Sequence, residues 1–556
     1  MTSDSLLLGP LLRYVDDTSA SVWVKTRDRC DVAVRSQGRS WGAKSFTVHG
    51  HHYALVEIDG LEPGSSSPYT VEIGGEQVWP EPGSSFPPSR IVTLQPGQKV
   101  RMAFGSCRKS APHDEENTKA YGIDSMRAYA LHMMADEEKW PDLIVFLGDQ
   151  VYAVETSDEM RDFIASRRDI DKPPKEELKD YEEYAYLYHL AWTDPANRWL
   201  LSTLPSSMIF DDHDIRDDWN TSAAWREQMN ATQWWKGRIV AGLASYWVYQ
   251  HLGNLSPAER AGDEMWKQVL ASLDAGEEVD LGPMFDEFAA RVDVDPDTYR
   301  WSFSRDLGSS RLIVVDSRAA RVLSPDDRQM LDNTELTWLD EQLTGGFDHL
   351  FIGTSLPYLM APGLHDLEAW DEAVAAGAWG KRLIGLGERI RQGADLEHWA
   401  AFQESFRDIA ELVGEVASGK RGEPPATVTF LSGDVHNSYL AEVDRPAGTT
   451  RILQAVCSPI RNPLPAVIRG GQAFAAKRGG TGIGRALARS VRLPEPPLRW
   501  HMAKGPWFDN NLATLEADGR SLSMWWERGV LNGGDPEDPE MEVVSEFHLD
   551  PGAGAA

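Results

Sequence analysis

Several short apolar segments of this chain run directly into polar or chemically reactive residues. The clearest is residues 143–147, which are followed by Gly148 and Asp149 and then by Tyr152. Five consecutive apolar residues predict a strand that is buried on both faces. A strand that ends in Gly-Asp can present a carboxylate at the rim of a sheet, although Gly-Asp also forms ordinary turns. The recurrence of this pattern constrains the fold more than any single instance does.

The pattern recurs in six further segments. They are residues 100–104 before Ser106-Cys107-Arg108, 207–210 before Asp211-Asp212-His213-Asp214, 311–315 before Asp316, 350–352 before Thr354, 427–431 before Gly433-Asp434-Val435-His436, and 452–456 before Cys457. Helical patterns lie between several of these segments, for example at 126–134 and 181–192. Sites form where strand carboxyl ends meet in sheets that alternate with helices. The sequence therefore predicts an α/β domain whose active site lies at these strand ends.

The first 97 residues have a different pattern. Short alternating segments such as 21–25 and 53–58, with turn residues about every ten positions, predict an all-β sandwich over 1–97. The Leu61-Glu62-Pro63-Gly64 turn before Tyr69 resembles that of a fibronectin type III domain. Pro96-Gly97 predicts the boundary to a catalytic domain over 98–556. Within that domain we expect helical insertions at 155–205, 221–300 and 361–425, and a hairpin made of 512–515 and 521–526.

Charge and cysteine content limit the partners and the compartment. Asp and Glu number 86 against 55 Lys and Arg, so the formal net charge is -31. Such a field opposes broad binding to nucleic acid or to anionic membranes. Three cysteines in 556 residues argue against a disulfide framework and for a reducing compartment. Since the chain also shows no signal-like or membrane-length apolar segment, we expect a cytoplasmic protein.

The strand ends supply a set of residues that is rich in acids. Carboxylates at one edge repel each other unless cations lie among them. A Ser-His-Asp hydrolase would need a Gly-x-Ser-x-Gly elbow, which none of these strand ends supplies. A thiol hydrolase that uses Cys107 is possible, but it leaves the carboxylates without a role. A site for several metal ions uses the whole set; thiolate and phenolate favour a softer ion such as ferric iron, whereas carboxylates favour Ca²⁺ or Mg²⁺. The set is Cys107, Arg108, Asp149, Tyr152, Asp211, Asp212, His213, Asp214, Asp434 and His436.

Four ordered motifs carry a resemblance to a known family. They are Gly105-Ser106-Cys107-Arg108, Gly148-Asp149-Gln150-Val151-Tyr152, Asp211-Asp212-His213-Asp214 and Gly433-Asp434-Val435-His436, joined by Asp316-x-Arg318 and Ser458–Asn462. These resemble the motifs of the PhoD-like alkaline phosphatases and phosphodiesterases, a branch of the calcineurin-like metallophosphoesterases. The resemblance implies a four-layer α/β/β/α core behind a fibronectin III-like sandwich. It also implies metal-dependent hydrolysis of phosphate monoesters or diesters by a metal-bound hydroxide.

The resemblance implies a role for each matched residue. Cys107, Asp149, Tyr152 and Asp434 would hold Fe³⁺, Asp149 would bridge to Ca²⁺, and Asp212 would also be a metal ligand; Mn, Mg or Zn are alternative metals. Three further residues would act in catalysis, His213 beside the leaving group, Arg108 on the phosphate oxygens, and His436 as a ligand or supporting donor. The expected substrate is a small phosphate ester. The sequence does not indicate an oligomeric state.

Some alternatives stay open at this stage. The chain could instead be a non-catalytic binding protein or a Cys107-dependent thiol hydrolase. Asp217, Asp218 or Asn220 would either complete a calcium shell or cap the following helix. The basic run at 469–499 would be a flap that attracts phosphate or a solvated helix. The glycine-rich stretch at 480–484 follows no predicted strand, so we expect no dinucleotide site there.

Overall fold

The N-terminal region is all-β, as the alternating pattern predicts. The computed structural model describes residues 5–276, 278–444, 446 and 448–550. The strands of this region are β1 (Leu6–Val15), β2 (Ala20–Thr26), β3 (Asp31–Ser36), β4 (Arg39–Lys44), β5 (Phe46–Val48), β6 (His51–Ile58), β7 (Ser66–Ile73), β8 (Glu76–Trp79) and β9 (Arg90–Val92). They form one sheet in the order β1-β2-β6-β5 and another in the order β4-β3-β7-β8, with β9 paired to β7. Val22 and Val56 of the first sheet share a buried core with Val34 and Val71 of the second.

Two larger sheets form the centre of the remaining chain. Their strands are β10 (Val100–Gly105), β11 (Leu143–Leu147), β12 (Ser206–Ile209), β13 (Phe303–Leu307), β14 (Ser310–Val315), β15 (Val322–Ser324), β16 (Asp327–Gln329), β17 (His349–Thr354), β18 (Thr427–Ser432), β19 (Ser438–Val443), β20 (Arg451–Val456), β21 (Trp500–Trp507), β22 (Asn511–Asp518), β23 (Ser521–Asn532) and β24 (Asp535–Leu549). One sheet has the order β12-β11-β10-β22-β23-β24, and the other has the order β13-β14-β17-β18-β20-β19-β21. Strands β15 and β16 form a separate hairpin.

The seven apolar segments are the parallel strands of these two sheets. Strands β10, β11 and β12 run parallel in the six-stranded sheet, and β14, β17, β18 and β20 run parallel in the seven-stranded one. Leu147 of the first sheet and Phe351 and Leu431 of the second belong to one buried cluster. Trp526 Nε1 donates to the Val456 carbonyl at 2.9 Å across the same interface. The carboxyl ends of both parallel sets therefore approach one another.

The predicted C-terminal hairpin is present and longer than expected. Strands β22 and β23 pair antiparallel, and β24 extends them into a three-stranded meander. Strand β22 also pairs antiparallel with β10, which makes the C-terminal strands part of the central sheet.

Helices occupy the predicted insertions and surround the sheets. They are α1 (Glu115–Tyr121), α2 (Ser125–Ala135), α3 (Asp158–Arg167), α4 (Tyr181–Trp192), α5 (Pro195–Thr203), α6 (Asp212–Ile215), α7 (Ala223–Asn230), α8 (Trp235–Tyr246), α9 (Leu252–Asn254), α10 (Pro257–Gly262), α11 (Glu264–Ala275), α12 (Gly282–Val294), α13 (Asn333–Gln342), α14 (Pro362–Ala375), α15 (Ile384–Gly393), α16 (Gln403–Ala417), α17 (Ala466–Ala475) and α18 (Arg478–Ser490). A π-helical turn, Trp247–His251, joins α8 to α9. In the described part of the chain, no helix is both long and apolar enough to cross a bilayer.

The sandwich is attached to the central sheets by buried polar contacts. Strand β9 ends at Val92 and β10 begins at Val100, so the predicted boundary at residue 97 lies in the short connection between them. Arg13 of β1 is buried, and its guanidinium donates to the Tyr249 and Gln250 carbonyls at 2.7 Å each. Since a buried guanidinium needs such acceptors, these bonds hold the sandwich against the π-helical turn.

Candidate metal centre

Side chains from the strand ends of both sheets converge into three overlapping groups. Among the described residues, Cys107, Asp149 and His436 form one group in which the ligand atoms lie within 4.8 Å of one another. Asp149, Asp212 and His213 form a second group, and Asp211, Asp212 and Asp434 form a third, by the same distance. Asp149 and Asp212 each belong to two groups. The structure thus brings seven of the sequence-predicted residues to one edge.

Four of these residues adopt left-handed backbone conformations. The φ angles are 58° at Cys107, 48° at Asp149, 62° at Asp434 and 48° at His436. Positive φ is uncommon for residues other than glycine and costs about 1–3 kcal/mol at each position. Such conformations persist only where the surrounding structure imposes them, and they concentrate at functional sites.

Two glycines allow the strand ends to approach this closely. A Cβ atom at Gly433 would lie 1.8 Å from Ser106 Oγ, so β18 and β10 could not meet as they do with any larger residue. At Gly148 the φ angle is 107°, and a Cβ would lie 2.8 Å from the Asp211 Cβ. The Asp434 amide then donates to Ser106 Oγ at 3.1 Å, which links the two sheets.

Cys107, Asp149 and Tyr152 lie together beneath the site. Burial raises the pKa of the Cys107 thiol well above its ordinary value, and the nearby Asp149 carboxylate raises it further. Burial likewise raises the pKa of Asp149, although His213 opposes the shift. Tyr152 donates its hydroxyl hydrogen to Asp149 Oδ2 at 3.3 Å, and its ring stacks on the imidazole of His213 at a centroid distance of 4.7 Å.

Asp434, predicted as an iron ligand beside Cys107, has its carboxylate in another of the three groups, and its role as a ligand stays a prediction. The carboxylate of Asp434 groups with Asp211 and Asp212, and it is His436 that joins Cys107 and Asp149. The thiol of Cys107 donates to the main-chain carbonyl of Asp434 at 3.6 Å. The reason is that the left-handed backbone at Asp434 turns its peptide toward Cys107, while its side chain is held by partners from the third insertion.

The direct partner of Asp434 is His398, which in turn pairs with Glu368; the sequence did not single out either residue. His398 Nε2 lies 2.8 Å from Asp434 Oδ2, and His398 Nδ1 lies 2.8 Å from Glu368 Oε1. Burial lowers the pKa of His398, but Glu368 and Asp434 together raise it well above its ordinary value. Both residues lie outside the strand ends, in the 361–425 insertion, so the strand-end pattern carries no signal for them.

A buried arginine provides the positive charge among the acids. The guanidinium of Arg318 is ion-paired with Asp211, and it lies 3.3 Å from Asp212 Oδ1 and 2.6 Å from Glu397 Oε2. Burial lowers the pKa of Arg318, but Asp211 and the other acids raise it well above its ordinary value. One guanidinium cannot neutralise all of these carboxylates, so the edge retains a negative charge that could attract cations.

Several buried ligand atoms have no hydrogen-bond partner among the described residues. They are Asp149 Oδ1, Asp211 Oδ2 and His213 Nδ1. Buried polar atoms are nearly always paired, so each such atom calls for an additional partner. A donor set of carboxylate oxygens, imidazole nitrogens and one sulfur suits metal ions. The residues present therefore fit the metals that the sequence predicts.

Arg108 forms a buried ion pair beside the ligand groups. Its Nε and Nη2 donate to the Asp124 carboxylate at 3.0 and 2.7 Å, and its Nη1 donates to the Ala191 carbonyl at 2.8 Å. Both Arg108 and Asp124 are buried. This ion pair secures the loop after β10 to α2, and the contact of Arg108 with phosphate oxygens stays a prediction.

The acidic stretch after Asp214 does not cap the following helix, and its predicted part in a calcium shell stays a prediction. The Asp218 amide donates to Asp212 Oδ2 at 3.0 Å, and Asn220 Nδ2 donates to the Arg318 carbonyl at 3.2 Å. Helix α7 is capped by Ser222, whose hydroxyl accepts from the Trp225 amide. Asp218 and Asn220 thus position residues of the site and do not cap the helix.

The three groups border a cavity of about 600 Å³. Asp212, His213, Asp434 and His436 line one side of it, together with His398. Among the described residues, the 361–425 insertion lines the cavity through α14 and residues 394, 395, 397 and 398, whereas residues 155–205 and 221–300 do not line it. The remaining wall comes from α17, α18 and the turn before α17, which include the basic run.

Comparison with known proteins gives an independent result. A family model described as PhoD-like phosphatase matches residues 102–467, and a domain of unknown function, DUF7800, matches residues 3–91. A solved structure described as "Structure of PhoD" has a TM-score of 0.58 at 13% sequence identity and covers 99% of this chain and 91% of that chain. The type III pullulan hydrolase from Thermococcus kodakarensis reaches a TM-score of only 0.14 at 10% identity, over 93% of this chain and 92% of that chain, which carries no argument about the fold. The comparison with curated proteins found no match.

The family model covers the three ligand groups and the strands from β10 to β20, whereas β21–β24 and α18 lie beyond it. The PhoD structure independently matches the fold, a mixed α/β protein with an all-β N-terminal region. The matched residues exceed half of the chain. This chain therefore belongs to the PhoD-like phosphatase family.

Proposed function

We propose that this protein is a metal-dependent phosphoesterase that hydrolyses phosphate monoesters or diesters in the cavity beside the three ligand groups. The observation that carries the proposal is the convergence of buried ligand residues in three overlapping groups, of which Asp212, His213, Asp434 and His436 line that cavity. Membership of the PhoD-like phosphatases supports phosphoester hydrolysis as the reaction class.

Two kinds of metal position fit the groups. Cys107, Asp149 and His436, with Tyr152 beside them, offer sulfur, nitrogen and phenol ligands that favour Fe³⁺. Asp211, Asp212 and Asp434 offer only oxygens, which favour Ca²⁺, and Asp149 is connected to this group through the second group, which it shares with Asp212. Ions bound there would supply an acidified water as nucleophile and positive charge for the phosphate oxygens. Mn, Mg or Zn could replace either ion.

His213 is suited to protonate the leaving alcohol. Burial lowers its pKa, but Asp212 and Asp149 together raise the pKa of His213 to about 10, so the metal-free imidazole carries a proton at neutral pH. It borders the cavity, and stacking on Tyr152 holds its ring in place. A positioned acid of this kind typically contributes about 10²–10⁴-fold to the rate.

Other residues hold the ligands in place. Glu368 and His398 form a hydrogen-bonded chain to Asp434, which restricts the rotation of its carboxylate. Arg318 does the same for Asp211 from the opposite side. Burial lowers the pKa of His436 to about 4, so this imidazole is neutral and able to donate a nitrogen lone pair.

The geometry disfavours the thiol-hydrolase alternative. Nucleophilic cysteines need a lowered pKa and access to the substrate, whereas Cys107 is fully buried and its pKa is raised. The non-catalytic alternative has no such objection and is left to experiment. The four-layer core, the fibronectin III-like character of the sandwich, the domain division at residue 97 and the cytoplasmic location remain parts of the proposal.

The test is a panel of phosphate monoesters and diesters assayed with added iron and calcium, with a chelator, and after thiol alkylation. We expect turnover that chelation abolishes and metal restores, with little effect of alkylation on the metal-loaded protein. Turnover that survives complete chelation but not alkylation would return the assignment to the thiol hydrolase. A metal-free protein without turnover on any ester would favour the binding protein.

A further inference from the structure

The cavity has two chemically different sides. The side formed by the strand ends carries the acids and imidazoles of the candidate metal centre. The opposite side consists of aliphatic residues from α14, α18 and the turn into α17. These are Leu364, Leu367, Leu464, Ile468, Ile483 and Leu487. A ligand that fills the cavity must therefore be charged at one end and apolar at the other.

The apolar side offers little to a polar alcohol group. Its amide side chain, Gln472, already has partners, since its Nε2 donates to the Val435 carbonyl at 3.2 Å and its Oε1 accepts from Asn437 at 3.0 Å. Phe474 is the aromatic residue among the described residues of this wall, and it lies at the rim with 51% of its surface exposed. The wall thus lacks the hydrogen-bonding groups that select a sugar and the stacked rings that select a nucleobase.

The glycine-rich stretch at 480–484, for which we expected no dinucleotide site, lets α18 pack closely against α14 and so form this wall. A Cβ at Gly484 would lie 2.5 Å from the Gly363 carbonyl oxygen, and a Cβ at Gly363 would lie 2.7 Å from the Gly480 backbone. Helix α18 therefore lies directly against the start of α14, backbone to backbone. This close packing fixes Ile483 and Leu487 over the cavity.

The outer surface of the same helices is unusually apolar for so acidic a protein. On α17 and α18, Val467 is 88% exposed, and Ile483 and Phe474, which line the cavity, are 57% and 51% exposed. Arg485 on α18 lies 3.9 Å from Asp366, so its charge is paired with an acid. Exposed apolar groups of this kind mark surfaces that bind a molecule with an apolar part.

We propose that the substrates of this site are phosphate esters whose alcohol part is an aliphatic chain. The phosphate lies at the strand ends and the chain lies along α14 and α18. The inference rests on the proposed phosphoesterase function and adds the substrate class to it. A chain that reaches the wall exchanges contact with water for contact with leucine and isoleucine, which gives about a fourfold gain in kcat/KM for each methylene buried.

The test compares a homologous series of alkyl phosphates, from ethyl to decyl, each as monoester and as methyl diester below its micelle concentration. In the wild-type protein we expect kcat/KM to rise about fourfold per methylene and then to level off when the cavity is filled. Hydrolysis of the whole series without dependence on chain length would overturn the inference and leave the phosphoesterase function standing. Failure to hydrolyse any ester would instead refute the proposed function.

Two adjacent glycines of α17 provide a matched pair of variants. A Cβ at Gly471 meets nothing within 4 Å and Gly471 borders the cavity, so Gly471→Leu places a side chain in the space for the aliphatic chain. A Cβ at Gly470 also meets nothing within 4 Å, but Gly470 does not line the cavity. Both substitutions change helix propensity equally. We expect Gly471→Leu to flatten the chain-length dependence and Gly470→Leu to retain it; equal slopes in the two variants would contradict the inference.

A second arm identifies the source of the chain. Phosphatidate in neutral phospholipid vesicles is offered beside monomeric octyl phosphate at equal phosphate concentration. Faster turnover of the vesicle form supports the inference with a bilayer as source, and faster turnover of the monomer supports it with a dissolved amphiphile. Turnover of neither, by a protein that hydrolyses ethyl phosphate, would overturn it.

Discussion

Replacing Asp149 by asparagine separates a metal centre from an ordinary cluster of buried acids. The Asp149 carboxylate belongs to two of the three ligand groups, and its ligand oxygen lies within 4.8 Å of ligand atoms of Asp212 and His213. A cation held among these atoms lies closer to the Asp149 oxygen than that, and two unit charges even 4.8 Å apart interact by about 3.5 kcal/mol at an effective dielectric constant of about 20. Asp149→Asn should therefore weaken cation binding by about 300-fold for each unit of ionic charge.

The same change has the opposite effect on the metal-free protein. Burial and the neighbouring acids raise the pKa of Asp149, although His213 opposes the shift, so the folded state binds a proton that the unfolded state releases above its ordinary pKa of 3.8. Stability of the chelated wild type then falls as pH rises through and above that value, because the unfolded state binds fewer protons. Asparagine has no such proton, so chelated Asp149→Asn should be at least as stable as chelated wild type and less dependent on pH.

The assay is thermal unfolding of both proteins with chelator and with added metal from pH 5 to 9, together with metal content and turnover. Asp274→Asn on α11, outside the cavity, serves as the control for loss of one acidic charge. We expect the wild type and the control to gain stability with metal and Asp149→Asn to gain none. A variant that kept the metal-induced rise in melting temperature, or its turnover, would falsify the assignment of Asp149 as a shared ligand.

Three further predictions concern buried side chains that can carry a charge. Arg108→Met should lower the free energy of unfolding in urea by about 3–5 kcal/mol, because it leaves Asp124 buried without its ion pair; a large rise in KM without loss of stability would restore the phosphate-contact role. His251 is buried with its pKa lowered to about 3 by burial and by Arg300, so the unfolded chain binds the proton and stability falls as pH drops from 6.5 toward 3. His251→Phe should remove about 1.4 kcal/mol per pH unit from that slope, measured by urea unfolding at pH 4 to 7, and an unchanged slope would contradict this cause. Arg318→Met should lower the melting temperature more in chelator than with metal, since bound cations can offset the same acids, and equal losses would argue against cations there.

The strand ends illustrate what could be predicted from local sequence. An apolar run followed by Gly-Asp at 143–149 or by Ser-Gly-Asp at 427–434 specifies both a buried strand and the residue that follows it. Parallel strands place those residues at a common edge, so their meeting followed from fold class alone. The meander after β22 and the helices of the insertions were predicted in kind, but their bounds shifted with tertiary pairing and packing.

The partners of individual side chains could not be predicted in this way. Arg108 and Cys107 are neighbours in sequence, yet one is paired with Asp124 and the other faces the ligand groups. His398 reaches Asp434 across 36 residues, from a segment without strand or motif. The Asp434 carboxylate groups with Asp211 because the backbone of Asp434 is left-handed and because His398 holds its side chain.

The sequence by itself determined the chemistry of this protein: which ligand types are present, their order along the chain, and their position at strand ends. Alternation of apolar runs and turns encodes these features locally, so they can be identified without coordinates. Only the tertiary structure decided how the ligands divide into groups and that Arg108 pairs with Asp124. It also decided which helices form the cavity wall that faces the ligand groups. Those outcomes depend on the approach of distant segments, such as Gly433 against Ser106 and α18 against α14, whose separation no local pattern records.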